Sequence, residues 1–387
     1  SIRSDAVRLV KKIEDIDVDI ENVNITDKKT FDMLAKGETV GLFQLNGSGM
    51  TRYLKELKPT TIHDINAMVA LYRPGPMESI PQYIERKQDP SKVKYLDPRM
   101  KDLLERSYGV ITYQDDVMMI AIKLGGYSWL EADKLRKAMG KKIPKEMEEQ
   151  KGKLREGLLK NGMTQKKADE LWALIEPFAA YGFNKAHAAS YGRVAYQTAY
   201  MKANFPAIYM SAVLTADSGD VEKIAEIITE CKRMHIPVLP PSVNESFAGF
   251  TVVKASARTE QVVDVDKIRF GLTTIKNFGE GIANAIIEER ARGGAFVSLA
   301  DFLERIHDKN LNKKSLEALI KSGSMDEFGN RSQMLGNIEA LLAYNKERAQ
   351  ESKDQDSLFG LMTDTATIPT LRLAPVPEVT PTEKLAW

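Results

Sequence analysis

Apolar residues recur at helical spacing through the first 240 or so residues, and glycine and proline interrupt this pattern repeatedly. From Thr61 to Leu71, the apolar residues lie three and four positions apart, as they do on one face of a helix. Arg73-Pro74-Gly75-Pro76 then ends that helix, because proline lacks the backbone N–H that a helix needs. A chain interrupted in this way can only pack short helices against one another, so the sequence predicts a mainly α fold.

The same pattern predicts further helices between clear start and stop signals. Thr26-Asp27 can cap a helix that ends at Ala35, before Gly37. The remaining predicted helices of this part are Asp116 to Leu124, Glu131 to Met139 (closed by Gly140), Pro144 to Lys160, Thr164 to Phe178, Lys185 to Asn204 and Val221 to Arg233. Pro237 and Pro240-Pro241 follow the last helix and indicate a domain boundary.

The periodicity changes after this boundary. Phe250 to Val253 and Val262 to Val265 are typical of short strands, which suggests a small β-hairpin. Helical character returns from Ile282 to about Ala349, and the stretch Glu351 to Trp387, rich in Pro, Thr and Asp, predicts a flexible linker with little structure. The expected domains are therefore 1–240, 245–345 and 346–387.

Composition limits where such a chain works. No apolar run reaches the roughly 20 residues of a membrane helix, and no signal peptide precedes the first helix. The single cysteine, Cys231, excludes an internal disulfide and favours the cytoplasm, and with only four histidines a zinc site is not expected. A start without Met and an end at Ala386-Trp387 suggest a piece of a longer protein.

A first candidate anion site begins at Asn184. This residue is a good helix N-cap, and it places Lys185 and His187 in the first helical turn. Backbone N–H groups and the helix dipole attract anions at that end, and cationic side chains strengthen the attraction. A capped helix with solvated charges is the alternative and explains the pattern equally well.

A second candidate is the basic stretch from Lys134 to Lys142. If Leu135 and Met139 face inward, Arg136 and Lys137 project from another face, and Lys141 follows closely. The net charge is only +1, so such local clusters matter more than the sum. Joined to the first candidate, this stretch would form a triphosphate cradle. Alone, it is better explained as a surface patch that complements the helix dipole.

The segment Lys276 to Ile282 has the form of a helix-hairpin-helix. Gly279 and Gly281 would let backbone N–H groups approach a DNA phosphate at a helix N-terminus, with Lys276 beside them. Contacts of this kind do not read base sequence. Lys313 and Lys314 start a looser second copy. A plain turn between helices remains an equal alternative.

Two further patterns carry less weight by themselves. Asp15, Asp17 and Asp19 alternate as in a metal-binding strand, but no partner strand of carboxylates is evident, so a solvated strand or loop is the favoured interpretation. In the tail, Gln355 is followed by Leu358 and Phe359, as in a peptide that docks in a partner's hydrophobic pocket. A stray apolar pair in a linker is the alternative.

Several long motifs in the same order resemble one family, the alpha subunits of bacterial DNA polymerase III, which are C-family replicative polymerases. These motifs are Asp27 to Phe31, Gly41 to Leu45, Ala70 to Pro76, Tyr108 to Gln114, Arg136 to Lys142 and Tyr181 to Tyr191. The resemblance implies a fingers domain up to about residue 240, a helix-hairpin-helix domain at 245–345, and a linker that carries a clamp-binding peptide at Gln355, Leu358 and Phe359.

It also implies roles for the basic clusters. Arg136, Lys137, Lys141 and Lys185, with Asn184 and His187 as neighbours, would bind the triphosphate of an incoming dNTP. Lys137 stands where many relatives have a second arginine, which argues against bidentate contact there. Lys276, Gly279, Gly281, Lys313 and Lys314 would bind the backbone of primer-template DNA.

The resemblance places the chemistry elsewhere. The catalytic aspartates and two magnesium ions of this nucleotidyltransferase family belong to a palm upstream of Ser1, so no catalytic or metal-binding residue and no cofactor is expected in this chain. The expected partners are DNA, dNTP, a sliding clamp and other replicase subunits, with no membrane. The alternatives are a non-enzymatic DNA-binding scaffold that recruits a clamp, and an unrelated enzyme that binds metal at Asp15 to Asp19.

Overall fold

The structure is a computed structural model that describes residues 1–141, 143–178, 182–255, 265–355 and 371–385, without the side chains of 351–355, 381 and 385. The residue contacts within the chain define two compact units. One consists of Val10–Pro206, and the second consists of Ser1–Leu9 together with Ala207–Trp387. The prediction of a mainly α fold is confirmed, while the predicted domain limits at 240, 245 and 345 stay predictions.

Ten helices precede the first candidate anion site in the described residues. They are α1 (Ile2–Glu14), α2 (Lys28–Ala35), α3 (Ser48–Leu57), α4 (Ile62–Leu71), α5 (Ile80–Gln88), α6 (Lys101–Leu104), α7 (Gln114–Lys123), α8 (Trp129–Lys141), α9 (Pro144–Lys160) and α10 (Gln165–Ile175). The remaining described helices are α11 (Lys185–Asn204), α12 (Pro206–Ala216), α13 (Val221–Arg233), α14 (Glu280–Gly293), α15 (Leu299–Arg305), α16 (Lys313–Lys321), α17 (Arg331–Gly336), α18 (Ile338–Gln355) and α19 (Pro381–Leu385).

Local start and stop signals locate most of these helices well. The predicted limits of α9, α11 and α13 are confirmed, and Asp27 caps α2 by accepting a hydrogen bond from the Thr30 N–H at 3.0 Å. Gly140 was expected to close α8, but the helix continues through it to Lys141. Glycine inside a helix costs only about 1 kcal/mol relative to alanine, and the buried Ala138 and Met139 hold the last turn of α8, so Gly140 does not end the helix.

The core of the unit Val10–Pro206 forms where α11 packs against α2 and α4. Gly192 makes the contact with α4 close, since a Cβ at this position would lie 1.9 Å from Asn66 Oδ1. At the far end of α11, the buried Lys202 ammonium donates hydrogen bonds to the carbonyl oxygens of Glu38 and Val40, both at 2.9 Å. These contacts fix α11, and with it the first candidate site at its N-terminus.

The second unit contains a three-stranded sheet, in which a third strand joins the predicted antiparallel pair. Its strands are β1 (Val238–Leu239), β2 (Thr251–Val253) and β3 (Lys267–Arg269), in the spatial order β1-β3-β2. β2 pairs antiparallel with β3, and β1 pairs parallel with it. The strand predicted at 262–265 is therefore wrong in its described part, because Val265 precedes β3, whose Ile268 is fully buried. Residues 262–264 lie outside the described residues.

Helices α14 to α18 enclose one hydrophobic core. Side chains such as Phe302, Leu316 and Leu341 are fully buried there, and Leu272 and Phe296 join them from the connecting segments. The predicted helix-hairpin-helix turn at Gly279 leads directly into α14, so its exposed glycines lie on a rigid support.

The predicted linker has more structure than expected in its described parts. α18 runs to Gln355, beyond the limit predicted at 345. Farther on, the Asn337 side chain exchanges two hydrogen bonds with the backbone of Ala374, at 2.9 and 3.0 Å, and Leu371 and Leu373 pack against the core of this unit. Residues 356–370 lie outside the described part of the chain.

Within the residues that the structure describes, none of the helices combines the length and apolar character needed to cross a lipid bilayer.

Candidate anion-binding sites

The start of α11 is built as predicted around Asn184. The Asn184 side chain accepts a hydrogen bond from the His187 N–H at 3.0 Å, which caps the helix and fixes its first turn. The first turn of α7 lies against it, because the Gln114 N–H donates to the Phe183 carbonyl at 3.0 Å. Two helix N-termini therefore meet, and both bring partial positive charge to one place.

Asp115 from α7 supplies a carboxylate at this junction. Its Oδ2 accepts hydrogen bonds from the Lys185 backbone N–H at 2.8 Å and from Asn184 Nδ2 at 3.4 Å. The N-terminus of α11 thus holds an anion that belongs to the chain itself. Asp115 was not predicted as part of this site, because it lies far from Asn184 along the chain. The one indication in the sequence was that Asp115 immediately precedes the helix predicted from Asp116.

Asp116, the next residue, lies in a very different environment. It is buried and accepts hydrogen bonds from the backbone N–H groups of Thr112 and Tyr113 at 3.0 and 2.9 Å. Burial raises the pKa of Asp116 to about 6, although these hydrogen bonds and the positive charge of Lys185 act in the opposite direction. The Lys185 ammonium lies 5.7 Å from the centroid of the Tyr113 ring, so Lys185 contributes charge to this junction.

His187 belongs to an aromatic cluster along the first turns of α11. Its ring centroid lies 4.9 Å from that of Phe183 and 4.3 Å from that of Tyr191. The guanidinium of Arg73 lies over the Phe183 ring at 4.0 Å. Arg73 Nε is buried and has no hydrogen-bond partner among the described residues. Arg73 therefore adds a cation, missed in the sequence analysis, to the site of Lys185 and His187.

The second predicted cluster gathers around an acid on its own helix. Asp133 accepts hydrogen bonds from Arg136 at 2.7 and 3.0 Å and forms an ion pair with Lys137 at 2.8 Å. Hydrogen bonds from Lys137 and Arg136 lower the pKa of Asp133. Lys141 lies 3.8 Å from Glu146, and Lys142 is outside the described residues. The pair Arg136 and Lys137 thus keeps one net positive charge.

α7 connects the two clusters. It packs against α8, which carries Arg136 and Lys137, and its first turn contacts the start of α11. Among the described contacts none joins Arg136 or Lys137 to Lys185 directly. The two predicted clusters therefore lie on two helices that both contact α7, while their combined use by a ligand remains a prediction.

The N-terminus of α14 in the second unit is open. Gly279 is its N-cap, with no side-chain hydrogen bond to the first turn. Lys276, Gly279 and Gly281 are exposed, and a Cβ at Gly279 would meet no atom within 4 Å. An exposed helix start without a side-chain cap has unsatisfied N–H groups, and such groups bind phosphate well.

The second hairpin copy differs at this point. Asn312 caps α16 by accepting from the Ser315 N–H at 3.1 Å, and the Ser315 hydroxyl oxygen accepts a hydrogen bond from the Asn312 N–H at 2.9 Å. Lys313 forms an ion pair with Glu339 at 2.7 Å, and Lys314 is exposed. The chain's own side chains thus satisfy part of this helix start, so the first copy is the better phosphate site.

Two further segments were considered from the sequence: the aspartates Asp15, Asp17 and Asp19, favoured as a solvated strand or loop, and the peptide at Gln355, Leu358 and Phe359, which stays a prediction. Asp15 and Asp17 both pair with Lys11, at 2.8 and 2.9 Å, and Asp19 accepts a hydrogen bond from Asn22. These aspartates lie in a loop, and the described residues hold no group of three His, Cys, Asp or Glu side chains that could bind a metal. Leu358 and Phe359 lie outside the described residues, and only the backbone of Gln355 is described.

Comparison with known proteins agrees with this division of the chain. Residues 1–162 match the bacterial DNA polymerase III alpha subunit finger domain, and residues 235–334 match a helix-hairpin-helix motif. The chain is 41% identical to DNA polymerase III subunit alpha of Thermus aquaticus over 97% of its own length and 30% of that protein. For the Borreliella burgdorferi protein of the same name the values are 41%, 92% and 31%, and for that of Escherichia coli K12 they are 40%, 90% and 30%. The chain spans about 30% of the length of these relatives.

Proposed function

Because the chain belongs to the family of bacterial DNA polymerase III alpha subunits, we propose that its unit Val10–Pro206 binds the triphosphate of an incoming dNTP during template-directed DNA synthesis. The observation that carries this proposal is the position of the Arg73 guanidinium, which lies 4.0 Å over the Phe183 ring beside the start of α11 and has a buried Nε with no hydrogen-bond partner in the described part of the chain. The Asp115 carboxylate already accepts a hydrogen bond from the Lys185 N–H, so a triphosphate would bind the side-chain cations of this site and not that N–H group. Lys185 and Arg73 supply positive charge for a triphosphate at this site, and the His187 ring can donate a hydrogen bond to a phosphate oxygen.

Arg136 and Lys137 would supply the second part of this site. Their ion pairs with Asp133 are partly exposed and therefore weak, so a phosphate can compete for the same cations. Arg136 presents a planar fork that suits two phosphate oxygens, while Lys137 acts as a point charge. Lys141, beside Glu146, would contribute mainly through its long-range field.

We further propose that the second unit binds the backbone of primer-template DNA. The open N-terminus of α14, with Gly279, Gly281 and Lys276, supports this role most directly. Lys313 and Lys314 at α16 would add charge without strong positioning, because Asn312 and Glu339 already engage that helix start. Binding of this kind has no sequence preference and depends steeply on salt.

The metal chemistry of the reaction is proposed to lie outside this segment. The aspartates that resemble a metal strand, Asp15 and Asp17, share Lys11, and two charged groups already paired do not form a magnesium site without rearrangement. Two magnesium ions would be held elsewhere in the longer protein, and the isolated chain would not extend a primer. Partners would include other replicase subunits and a sliding clamp bound through Gln355, Leu358 and Phe359, in the cytoplasm.

Steady-state kinetics of a full-length polymerase that contains this segment tests the triphosphate site. We expect Lys185→Gln to raise the KM for dNTP about tenfold, the effect of one charge-assisted contact. Lys145→Gln removes an exposed lysine of α9 and is the matched control. A KM that is equal in both variants would contradict the proposal and favour the alternative of a DNA-binding scaffold without a nucleotide site.

A further inference from the structure

A cavity of about 430 Å³ lies in the unit Val10–Pro206, and its described lining includes no residue proposed to bind dNTP. α5 and α10 form two of its walls, and the segments 94–96 and 109–111 form the others. A volume of this size falls within the range of small-molecule sites in proteins.

Positive charge dominates the polar part of this cavity. Arg86, Lys94 and Lys167 line it, and no carboxylate does so among the lining residues that the structure describes. Glu85 and Asp97, which are adjacent in sequence to lining residues, form their ion pairs outside the cavity lining, with Lys92 at 2.6 Å and with Arg99 at 2.7 Å. Three cations therefore line one space that no described carboxylate lines.

The contacts of these cations show how they are left available. Within the described ranges, Arg86 makes one side-chain hydrogen bond, from Nη1 to the Tyr108 carbonyl at 3.1 Å. Burial lowers the pKa of Arg86, although the neighbouring Glu85 and Tyr95 act in the opposite direction. Lys94 and Lys167 are exposed and form no ion pair with a described residue.

The rest of the cavity wall is apolar. Phe178 is buried, and Leu174 remains 47% exposed although it is a large hydrophobic residue on α10. The ring of Tyr95 lies beside these side chains at the cavity wall. An exposed leucine next to three cations suits a ligand with a ring at one end and phosphates at the other.

We propose that this cavity is a second nucleotide site, which takes a free nucleoside diphosphate or triphosphate with the phosphates on Arg86, Lys94 and Lys167 and the ring against Leu174 and Phe178. Duplex DNA fits this cavity less well, because its bases are stacked inside and leave nothing to cover the apolar wall. Inorganic pyrophosphate would satisfy the cations but leave that wall uncovered.

The site is also connected to the start of α11. The Phe178 carbonyl accepts a hydrogen bond from the Gly182 N–H at 2.9 Å, and Phe183 is the residue that receives the Arg73 guanidinium. A ligand that packs against Phe178 would therefore contact a residue that is hydrogen-bonded to Gly182. Gly182 lies two positions before Asn184, the N-cap of α11.

Isothermal titration of the whole chain with ADP, adenosine and pyrophosphate tests the assignment. We expect ADP to bind more tightly than either of the other probes, and Lys94→Gln with Lys167→Gln to weaken ADP about a hundredfold, since two charge-assisted contacts are lost. The matched control is Lys145→Gln with Lys166→Gln, which removes the same charge from exposed lysines of α9 and α10.

Further variants separate this cavity from other sites. Leu174→Glu places an anion on the exposed wall and should also abolish ADP binding, whereas Lys185→Gln should leave it unchanged. Equal ADP affinity in the two double variants, no ADP binding at all, or loss of ADP binding in Lys185→Gln would each overturn the proposal. If a single-stranded oligo(dT) displaces ADP, and Lys94→Gln with Lys167→Gln lowers the affinity for both ligands, the cavity is a DNA site instead.

Discussion

At the scale of single residues, Asp115 and Asp116 show how two neighbouring carboxylates acquire different properties. Asp115 is partly exposed and holds the start of α11 through the Lys185 N–H. Asp116 is buried, and this burial raises its pKa to about 6. A buried carboxylate that must lose its proton near neutral pH costs stability, so the protein carries a pH-dependent weakness beside its candidate nucleotide site.

Asp116→Asn should remove that dependence. The pKa of Asp116 in the fold lies above the value near 3.9 of an unfolded chain. Its contribution to stability is therefore complete below about pH 4 and is lost as the pH rises through about 6. Relative to the wild type, the asparagine variant should gain on the order of 2 kcal/mol in unfolding free energy between pH 4 and 7. Urea unfolding of both proteins at several pH values measures this difference in unfolding free energy.

The control for this measurement is Asp169→Asn, which removes an exposed carboxylate from α10. It should not alter the slope of stability against pH over the same window. If the Asp116→Asn and wild-type profiles run parallel, the buried carboxylate is not the origin of the dependence.

Residues that act through neighbours in sequence were predictable, and those that act across the fold were not. Asn184 was recognised as a cap because its partner, His187, is three residues away. Asp115 and Arg73 reach the same site from distant segments, and only the packing of α7 and α11 brings them there. Asp133 was close enough in sequence to be found, at helical spacing from both Arg136 and Lys137.

At the scale of elements, the N-termini of α14 and α16 show that a motif alone does not define a phosphate site. Both follow a hairpin, but α14 has an open N-cap at Gly279, whereas Asn312 and Ser315 close that of α16. The short sheet makes the same point, since β3 pairs with Val238–Leu239 as well as with β2. The antiparallel pair of β2 and β3 was predicted as a hairpin, but a pairing with a distant segment leaves no local period, so β1 was not predicted.

Gly279→Ala should weaken binding of duplex DNA about tenfold by placing a methyl group where a phosphate approaches the N–H groups of α14. The thermal midpoint should remain nearly unchanged, because the new Cβ meets no atom within 4 Å and the backbone of Gly279 has φ −85°. Fluorescence anisotropy across a range of salt concentrations measures the affinity.

Gly152→Ala, on exposed α9, has equal space around its Cβ and serves as the control. Equal DNA affinity in the two alanine variants would exclude the open N-terminus of α14 as a phosphate contact.

At the scale of the whole molecule, the proposed functions are divided between the two units. The candidate nucleotide clusters and the cavity lie in Val10–Pro206, and the hairpins lie in the unit that includes Ala207–Trp387. The linker prediction is the one most altered by the structure, because α18 extends to Gln355 and residues near Ala374 return to the hairpin core. Polar composition predicted little structure there, but the hydrogen bonds of Asn337 offset the low apolar content.

The double variant Leu358→Ala with Phe359→Ala should abolish binding to a sliding clamp, because docked peptides of this kind take most of their affinity from a few apolar side chains. Leu361→Ala with Met362→Ala, the next apolar pair along the chain, is the control and should bind normally. Surface plasmon resonance on immobilised clamp measures the binding of both double variants. Clamp binding by the variant with Leu358→Ala and Phe359→Ala would disprove the peptide's role.

The return of the chain to Asn337 has a mechanical consequence. Gln355 ends α18, and Leu371 to Ala374 lie on the same unit, so the segment between them is tethered at both ends. A force applied anywhere along that segment is therefore shared by two anchors. One anchor is the helix α18, and the other is the pair of hydrogen bonds between Asn337 and Ala374. Because both anchors belong to one hydrophobic core, tension from a partner would strain the hairpin domain as a whole and not unravel a free tail.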